Sequence, residues 1–375
     1  MTETRLFPSA DAASEYVNKT FRHYADPAAV APLKGDAAHE VAVGPVHAGV
    51  IEPGHFRFQC MGEDVYNLQI FLGYQNRGVE EKIVAADGNV ARQVALAETC
   101  AGDTSIAAAT CLSEILESRN GTGPEPGTLA VRALLLELER VANHVGDLGA
   151  LAGDVAFLPT ASFCGRIRGE YLNMTALVCG NRFGRNAVVP GGARVALDAD
   201  RRGELSKRIR DAKKDLDCAL KLMFEEPTVL ERLEHTGTVP REVAERIGLV
   251  GVARRASVEL NGDVLSRAQV RRIEIEEAHK RIAALLAGET PDLAQAAAPV
   301  GEGPFAVVSS TVAAWRGPLV HAATFGEDGK MSDYRIVDPS ARNWPGLAWA
   351  LRGEQISNFP ICNKSFNLSY CGTDR

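Results

Sequence analysis

Apolar residues recur at helical spacing most clearly between residues 128 and 150. Side chains three or four positions apart on an α-helix lie on the same face, so they form one apolar stripe that a core can bury. The stripe consists of Leu134, Leu138, Val141, Val145 and Leu148. The pattern therefore predicts a long amphipathic helix in the middle of the chain.

Three ionisable residues, Glu137, Arg140 and His144, lie on the flank of this stripe. Helical geometry places them together beside the face that the core would bury. They form either a solvated charged edge or a group of functional side chains at the margin of the core. The pattern alone leaves both interpretations open.

Other segments show either helical or strand-like patterns. Alternating residues around a glycine-containing turn predict a β-hairpin within residues 50–73. Further helices are predicted within residues 87–118, 201–224 and 265–286, and strands within 305–325 and 333–339. Residues 25–43 have the composition of a leader segment, and residues 286–304 that of a Pro/Gly/Ala connector. A helical middle between two strand-rich ends predicts an α+β fold.

Composition narrows the class of protein. The chain has 375 residues, of which 46% are hydrophobic and 24% charged, as in globular proteins. A formal net charge of −7 argues against nucleic acid as a partner. No apolar run of about 18 residues predicts a transmembrane helix. The first residues lack the basic and apolar regions of a signal peptide, so none is predicted.

The cysteines are scattered, and no two of them form a C-x-x-C pair. This spacing argues against a self-contained zinc or iron–sulfur site. In a chain without a secretion signal, most such thiols are expected to be reduced and to act as small buried apolar residues. They are Cys60, Cys100, Cys111, Cys164, Cys179, Cys218, Cys362 and Cys371.

Six segments in the same order resemble the large subunit of nickel–iron hydrogenases and the D-type (49 kDa-type) subunit of respiratory complex I. The similarity is greatest to the membrane-bound, energy-converting branch, which includes the hydrogenase-3/4-like and formate hydrogenlyase-type proteins. The segments are GPVHAGVIEPGHFRF, LGYQNRGVEEKI, LLLELERVANHVGDLGAL, NRFGRNAVVPGG, WRGPLVH and NKSFNLSYCGTDR. The resemblance implies a helical-bundle core of the hydrogenase large-subunit type with small β-sheets from the N- and C-terminal parts. It covers residues 41–375, and residues 1–40 are predicted to be an N-terminal extension without an assigned function.

The resemblance also shows what this chain has lost. In the hydrogenases, two C-x-x-C pairs supply four thiolates to nickel and iron, and soft thiolates suit these metals. The corresponding positions here hold Cys100, Asp103, Ser369 and Gly372, while Cys371 is one residue out of register. On a helical turn, Cys100 and Asp103 would share a face. We expect no nickel–iron centre and no other metal on this set, although a harder metal with further donors at the first two positions is an alternative.

Other residues that the family uses are retained. By the resemblance, Arg77 lies against the terminal iron–sulfur cluster of a small partner subunit, and Glu80 matches a proton-transfer residue. His144 matches a histidine near that cluster whose protonation follows the redox state, a role that suits an imidazole. Arg316 matches the arginine that overhangs the hydrogenase active site. The resemblance therefore assigns catalytic-type roles to Glu80, His144 and Arg316, and a position near the cluster to Arg77 and His144.

A quinone site is a further implication of the same resemblance. In complex I, a histidine on the first hairpin loop and a tyrosine on the following helix hold the quinone headgroup. The loop here carries His47 and His55, but the stretch GVIEP is inserted, and Thr99 stands at the tyrosine position. His47 and His55 are therefore either part of a quinone loop or ordinary loop histidines.

The resemblance implies a peripheral component on the cytoplasmic face of the membrane, within an oxidoreductase complex. The implied partners are a small iron–sulfur protein of the complex I B type, a protein of the complex I C type, and membrane proteins of the antiporter-like and complex I H types. The chain alone would bind no cofactor; an iron–sulfur cluster would lie in the partner, and a quinone is a candidate acceptor. The alternatives are a non-catalytic scaffold subunit and an active hydrogenase large subunit of the same branch.

Overall fold

The computed structural model of the chain describes residues 2–21, 33–47, 51–124, 126–195, 197–288 and 304–375. Helices make up most of this part of the chain, and a 3-10 turn at Ile356–Asn358 precedes the last two. The helices are α1 (Ala10–Thr20), α2 (Val79–Ala85), α3 (Val90–Glu98), α4 (Ser105–Asn120), α5 (Pro126–Asp154), α6 (Leu158–Cys179), α7 (Ala199–Glu225), α8 (Pro227–Leu233), α9 (Arg241–Ile247), α10 (Gly251–Glu259), α11 (Val264–Leu286), α12 (Pro339–Ala350), α13 (Phe359–Phe366) and α14 (Tyr370–Thr373).

The strands of the described residues form two antiparallel sheets and one short hairpin. One sheet has the order β1-β7-β8-β9, the other has the order β2-β3-β4, and β5 pairs with β6. The strands are β1 (Thr2–Phe7), β2 (Ala38–Val43), β3 (His55–Met61), β4 (Asp64–Phe71), β5 (Val188–Val189), β6 (Gly192–Ala193), β7 (Phe305–Ala314), β8 (Gly317–Phe325) and β9 (Met331–Val337). The predicted α+β fold, with a helical core and small sheets from both ends of the chain, is confirmed.

Helix α5 lies at the centre of the helical core. Its five stripe residues are buried, and it packs against α6 and α11. Burying a leucine or valine side chain contributes about 1.5–3 kcal/mol, so the stripe accounts for much of the attachment of α5. The helix predicted from this stripe is confirmed, and it extends a few residues beyond the predicted bounds at each end.

The predicted hairpin is also confirmed, as β3 and β4. Met61 pairs with Asp64 across a two-residue turn. Gly62 has a φ of 61° in this turn, in the left-handed region that glycine enters without strain. Beyond β4, the chain runs past Arg77 into α2.

The helical pattern predicted within residues 87–118 is interrupted. Helix α3 ends at Glu98, and α4 begins at Ser105. The intervening residues include Gly102, Asp103 and Thr104, which are residue types that favour turns and helix ends over helix interiors. The residues on both sides of the break are helical, as predicted. The turn-forming residues between them divide the predicted segment into two helices.

The N-terminal residues pack on the sheet that the C-terminal part of the chain forms. Strand β1 pairs with β7 from Thr2↔Ser310 to Phe7↔Phe305. Ala13 and Val17 of α1 pack with Val307 in a small separate core. The boundary proposed at residue 40 stays a prediction, but β1 and α1 lie before it and contact the main body.

Several predicted segments lie partly outside the described residues. These are the leader, of which residues 33–43 are described and contain β2; the inserted stretch GVIEP, described from residue 51; and the connector, described up to residue 288 and from 304. Over the described ranges, no helix combines the length and apolar character needed to cross a bilayer.

Replacing Leu138 with alanine should destabilise the protein by about 2–5 kcal/mol, because the site is fully buried and the removed atoms leave a cavity. Leu222 on α7 is the matched control, because it is 48% exposed and its replacement should cost less than about 0.5 kcal/mol. Urea unfolding followed by circular dichroism measures both. Equal effects of the two substitutions would contradict the central position of α5.

Candidate functional site: the former metal pocket

The four positions that correspond to the hydrogenase ligands come together between the α3–α4 turn and the C-terminal segment. The amide of Thr104 donates to the carbonyl of Ala101 at 3.0 Å, so Cys100 and Asp103 lie in a turn and not on a helix. Electrostatic interactions connect Cys371 with both Cys100 and Asp103. The residues that the resemblance assigns to ligand positions therefore lie around one pocket.

Asp103 is held by Arg316 in a bidentate ion pair. Arg316 donates from Nη1 to Oδ1 at 2.8 Å and from Nη2 to Oδ2 at 2.7 Å. Burial works against both charges, but the partner's charge outweighs it, which lowers the pKa of Asp103 and raises that of Arg316. Arg316 also donates from Nε to the carbonyl of Asn367 at 2.7 Å and stacks 3.9 Å from the Trp315 ring centroid. By the resemblance, Asp103 occupies the position of a thiolate ligand. Its carboxylate is already paired with the guanidinium of Arg316.

Ser369 and Gly372 belong to the short helix α14. The hydroxyl oxygen of Ser369 accepts a hydrogen bond from the amide of Gly372 at 2.9 Å and caps this helix. A Cβ atom added at Gly372 would lie 2.6 Å from Oδ2 of Asp338. A thiolate side chain at this position would therefore require Asp338 to move.

These residues do not fit a nickel–iron centre. Cys100 is the one thiol at the four positions, and burial, with a smaller contribution from Asp338 and then Cys371, raises its pKa to about 12. The remaining donors are a carboxylate held by Arg316, a hydroxyl that caps a helix, and a glycine. Within the described residues, no group of three or more His, Cys, Asp or Glu side chains has the geometry to hold a metal ion.

Glu80, on α2, lies at one side of this pocket. Its Oε1 accepts a hydrogen bond from the amide of Ile336 at 2.7 Å and lies 3.5 Å from Nη1 of Arg375. Arg335 is 3.6 Å from its other oxygen. Burial raises the pKa of Glu80 in spite of both arginines. The structure therefore places Glu80 close to the C-terminal arginine, with an environment that favours proton binding.

Arg77 connects the hairpin region to the α3–α4 turn. Its guanidinium donates to the carbonyls of Thr99 at 2.6 Å and Cys100 at 2.9 Å. The Thr99 hydroxyl donates to the carbonyl of Leu96 at 2.7 Å. Arg77 is exposed, so its charge is available to a partner surface.

His144 is fully buried on α5, with an exposed fraction of 0%. Its Nε2 lies 2.8 Å from Oε2 of Glu274 on α11. Its ring meets Trp315 edge to face, with 6.0 Å between the centroids. Trp315 precedes Arg316 in the chain, and its ring nitrogen donates to the carbonyl of Asp103 at 3.0 Å. Trp315 therefore connects His144 to the Asp103–Arg316 pair.

The two candidate quinone-loop histidines close the loop between β2 and β3. Nε2 of His47 lies 2.7 Å from the carbonyl of Gly54, and Nδ1 of His55 lies 3.2 Å from the carbonyl of Gly44. Each half-buried imidazole thus uses one nitrogen for the backbone. Their role in quinone binding stays a prediction.

Two buried carboxylates near these residues were not predicted. Glu139 accepts from the amides of Ile106 and Ala107, at 2.8 and 3.4 Å, at the start of α4. It lines a small cleft beside Asp103, and burial raises its pKa to about 8. Glu274 is the partner of His144. An inward position in an otherwise apolar helical pattern was the available signal for Glu139, whereas no spacing connects Glu274 to His144.

Comparisons with known proteins find relatives over most of the chain. The family model of the 49 Kd subunit of respiratory-chain NADH dehydrogenase matches residues 154–258. Hydrogenase-4 component G of Escherichia coli is 26% identical over 90% of this chain, and the match spans 62% of that protein. The carbon monoxide-induced hydrogenase of Rhodospirillum rubrum is 25% identical over 90% of this chain and 100% of its own length.

A solved structure shares the fold. A chain of the membrane-bound sulfane sulfur reductase, an archaeal respiratory membrane complex, superposes with a TM-score of 0.79 at 20% identity, over 90% of this chain and 99% of that one. The predicted resemblance is confirmed, because the matches include hydrogenases of the membrane-bound, energy-converting branch and the 49 Kd subunit of respiratory-chain NADH dehydrogenase.

Replacing Asp103 with alanine should destabilise the protein by about 2–3 kcal/mol, because it leaves a buried guanidinium without its counter-charge. The cost should be smaller than for a fully buried pair, since the Asp103 side chain is 33% exposed. The double variant Asp103→Ala/Arg316→Met should recover part of this loss. Urea unfolding of the two single variants and the double variant measures the coupling, and strictly additive effects would show that the pair contributes nothing.

Proposed function

We propose that this chain is the large-subunit-type component of a membrane-associated redox complex and that it works without a nickel–iron centre. The observation that carries the proposal is the bidentate Asp103–Arg316 pair, which stands at a former ligand position. A carboxylate neutralised by a guanidinium is a poor ligand for a soft metal. The pocket that surrounds the pair is nevertheless retained.

In this proposal, the chain forms the wall of the pocket beside the terminal iron–sulfur cluster of a small partner subunit. The exposed guanidinium of Arg77 supports this role, because it is fixed to the turn that carries Cys100. Glu80 and His144 would receive or hold protons behind that wall. The electron acceptor would be a quinone or another small molecule, with His47 and His55 as candidate quinone contacts.

The names of the relatives support the assignment of partners. They are components of hydrogenases and of respiratory-chain NADH dehydrogenase. By analogy, the chain would bind a small iron–sulfur protein of the complex I B type and a protein of the complex I C type. It would dock on membrane proteins of the antiporter-like and complex I H types, at the cytoplasmic face of the membrane.

A scaffold subunit without a redox role is the second candidate. It is favoured by the absence of three of the four thiolates and by Thr99, whose hydroxyl is engaged with its own helix. It is opposed by two particular residues: Glu80, whose pKa burial raises in spite of two nearby arginines, and His144, whose Nδ1 has no partner among the described residues. Isolating the native complex and identifying its subunits would test both candidates. A complex without an iron–sulfur subunit would exclude the redox role.

The purified complex should contain no stoichiometric nickel, because the cage of thiolates is missing. Mass-spectrometric metal analysis of the complex measures this, with its iron content as the internal positive control. About one nickel per chain would contradict the proposal. That result would also imply that the register assigned to the C-terminal motif is wrong.

Replacing Arg77 with alanine should lower the midpoint potential of the partner's cluster, by an amount on the order of tens of millivolts. Removing a positive charge destabilises the reduced, more negative state. Arg77→Lys keeps the charge but loses the two-carbonyl contact, so it should restore most of the potential. Arg92→Ala, at an exposed site on α3, is the control. Redox titration of the assembled complex measures all three, and an unchanged potential in Arg77→Ala would make Arg77 a structural residue.

A further inference from the structure

The buried pair of His144 and Glu274 has a feature that the proposed function does not explain. One ring nitrogen, Nε2, contacts the Glu274 carboxylate at 2.8 Å. The other, Nδ1, is buried and has no hydrogen-bond partner among the described residues. Buried polar nitrogens are rarely left without a partner in native structures, so this one calls for an explanation.

The contact with Glu274 determines which nitrogen carries the proton. Burial disfavours the carboxylate, but the hydrogen bond and the charge of His144, together with the charges of Arg140 and Arg255, outweigh it and lower the pKa of Glu274. An ionised carboxylate can only accept hydrogen bonds. Nε2 of His144 must therefore be the donor, and Nδ1 of the neutral ring has a free lone pair.

Two arginines hold the carboxylate in place from opposite sides. Nη1 of Arg140 lies 3.6 Å from the oxygen that His144 contacts, and Nη1 of Arg255 lies 3.3 Å from the other oxygen. Arg255 is on α10 and is partly exposed, so the pair extends toward the surface. A carboxylate fixed in this way keeps the imidazole in one tautomer and one orientation.

The surroundings of His144 keep its ring neutral but leave it able to bind a proton. Burial is the largest cause that lowers the pKa of His144, and the charges of Arg271 and Arg140 add to it. Glu274 acts in the opposite direction through its hydrogen bond and its charge. On the remaining side, the turn between β7 and β8 contributes Trp315, whose ring nitrogen donates to the carbonyl of Asp103. A modest gain of negative charge nearby would therefore favour the imidazolium.

We propose that Glu274 is the positioning residue for proton uptake at Nδ1 of His144. When the partner's iron–sulfur cluster gains one electron, Nδ1 binds one proton from water, and Glu274 stabilises the imidazolium that forms. No other bond is made or broken. This inference rests on the proposed function for the coupling to the cluster, whereas the tautomer and the role of Glu274 can be tested without it.

The first experiment is nitrogen NMR on the chain labelled with ¹⁵N-histidine and assembled with its unlabelled partner, with His144→Gln to identify the signal. In the wild type at neutral pH, Nε2 should be protonated and Nδ1 unprotonated. Glu274→Gln should lose this single tautomer and lower the titration midpoint of His144 by about one pH unit or more. Glu274→Asp should return the midpoint toward the wild-type value, because it keeps the negative charge.

The matched control is Glu276→Gln, which lies two positions along the same helix and pairs with Lys213 at the surface. It should leave the tautomer and the midpoint of His144 unchanged. Protonated Nδ1 in the wild type would overturn the proposal without any variant. A midpoint that moves as far in Glu276→Gln as in Glu274→Gln would also overturn it.

The second experiment separates this inference from the proposed function. The cluster potential of the wild-type complex should fall as pH rises, and the slope should be shallower in Glu274→Gln. A wild-type potential that does not depend on pH would exclude the redox coupling, while the NMR result alone would decide the role of Glu274. A wild-type slope that Glu274→Gln leaves unchanged would overturn the inference and leave the proposed function standing.

Discussion

A buried guanidinium needs a counter-charge close to it, and this requirement determines the arrangement of the pocket. Arg316 is buried between the Trp315 ring and the carbonyl of Asn367, and neither neutralises it. Desolvating an unpaired charge costs several kcal/mol. Asp103 supplies the missing charge in the bidentate geometry that a guanidinium fits best. The carboxylate at a former thiolate position therefore keeps the arginine, and with it the shape of the pocket, in place.

Charged groups also attach the C-terminal segment to the residues that follow β4, close to this pair. Asp374 accepts hydrogen bonds from the amides of Gly73 and Gln75, at 2.7 and 3.3 Å, which attaches the C-terminal segment to the residues after β4. Arg375 then reaches Glu80. Each of these contacts joins a charge to a backbone amide or to a side chain of opposite charge. Ion pairs and amide hydrogen bonds therefore hold the walls of the pocket together.

Periodicity predicted the central helix and one hairpin, but not the N-terminal elements β1, α1 and β2 and not the contacts between elements. The stripe on α5 and the hairpin of β3 and β4 follow from local patterns, since burial of one face imposes a period on the sequence. The break between α3 and α4 depends on three turn-forming residues that a longer helical pattern concealed. The pairing of β1 with β7 joins residues about 300 positions apart, and no local pattern encodes it. In the site, the resemblance supplied Arg77, Glu80, His144 and Arg316. It did not predict Glu274. The role of a buried glutamate on a charge-rich helix depends on the residue that it contacts, and the sequence does not reveal that residue.

Buried ionisable groups alone do not indicate function in this protein, because most of them are paired. Arg132 with Glu117 and Arg271 with Asp147 are closed pairs, and each has a packing role. Two buried histidines differ from these, since His144 and His321 each keep one ring nitrogen without a partner among the described residues. Their electrostatic surroundings are opposite. Burial and the charge of Arg375 lower the pKa of His321 to about 3, so this ring is neutral at physiological pH. His144 has a carboxylate against its ring instead, and that anion is what allows a second proton to bind in a buried site. The nitrogen without a partner therefore belongs to a neutral ring in one case and to the proposed proton site in the other, and the sign of the neighbouring charge distinguishes them.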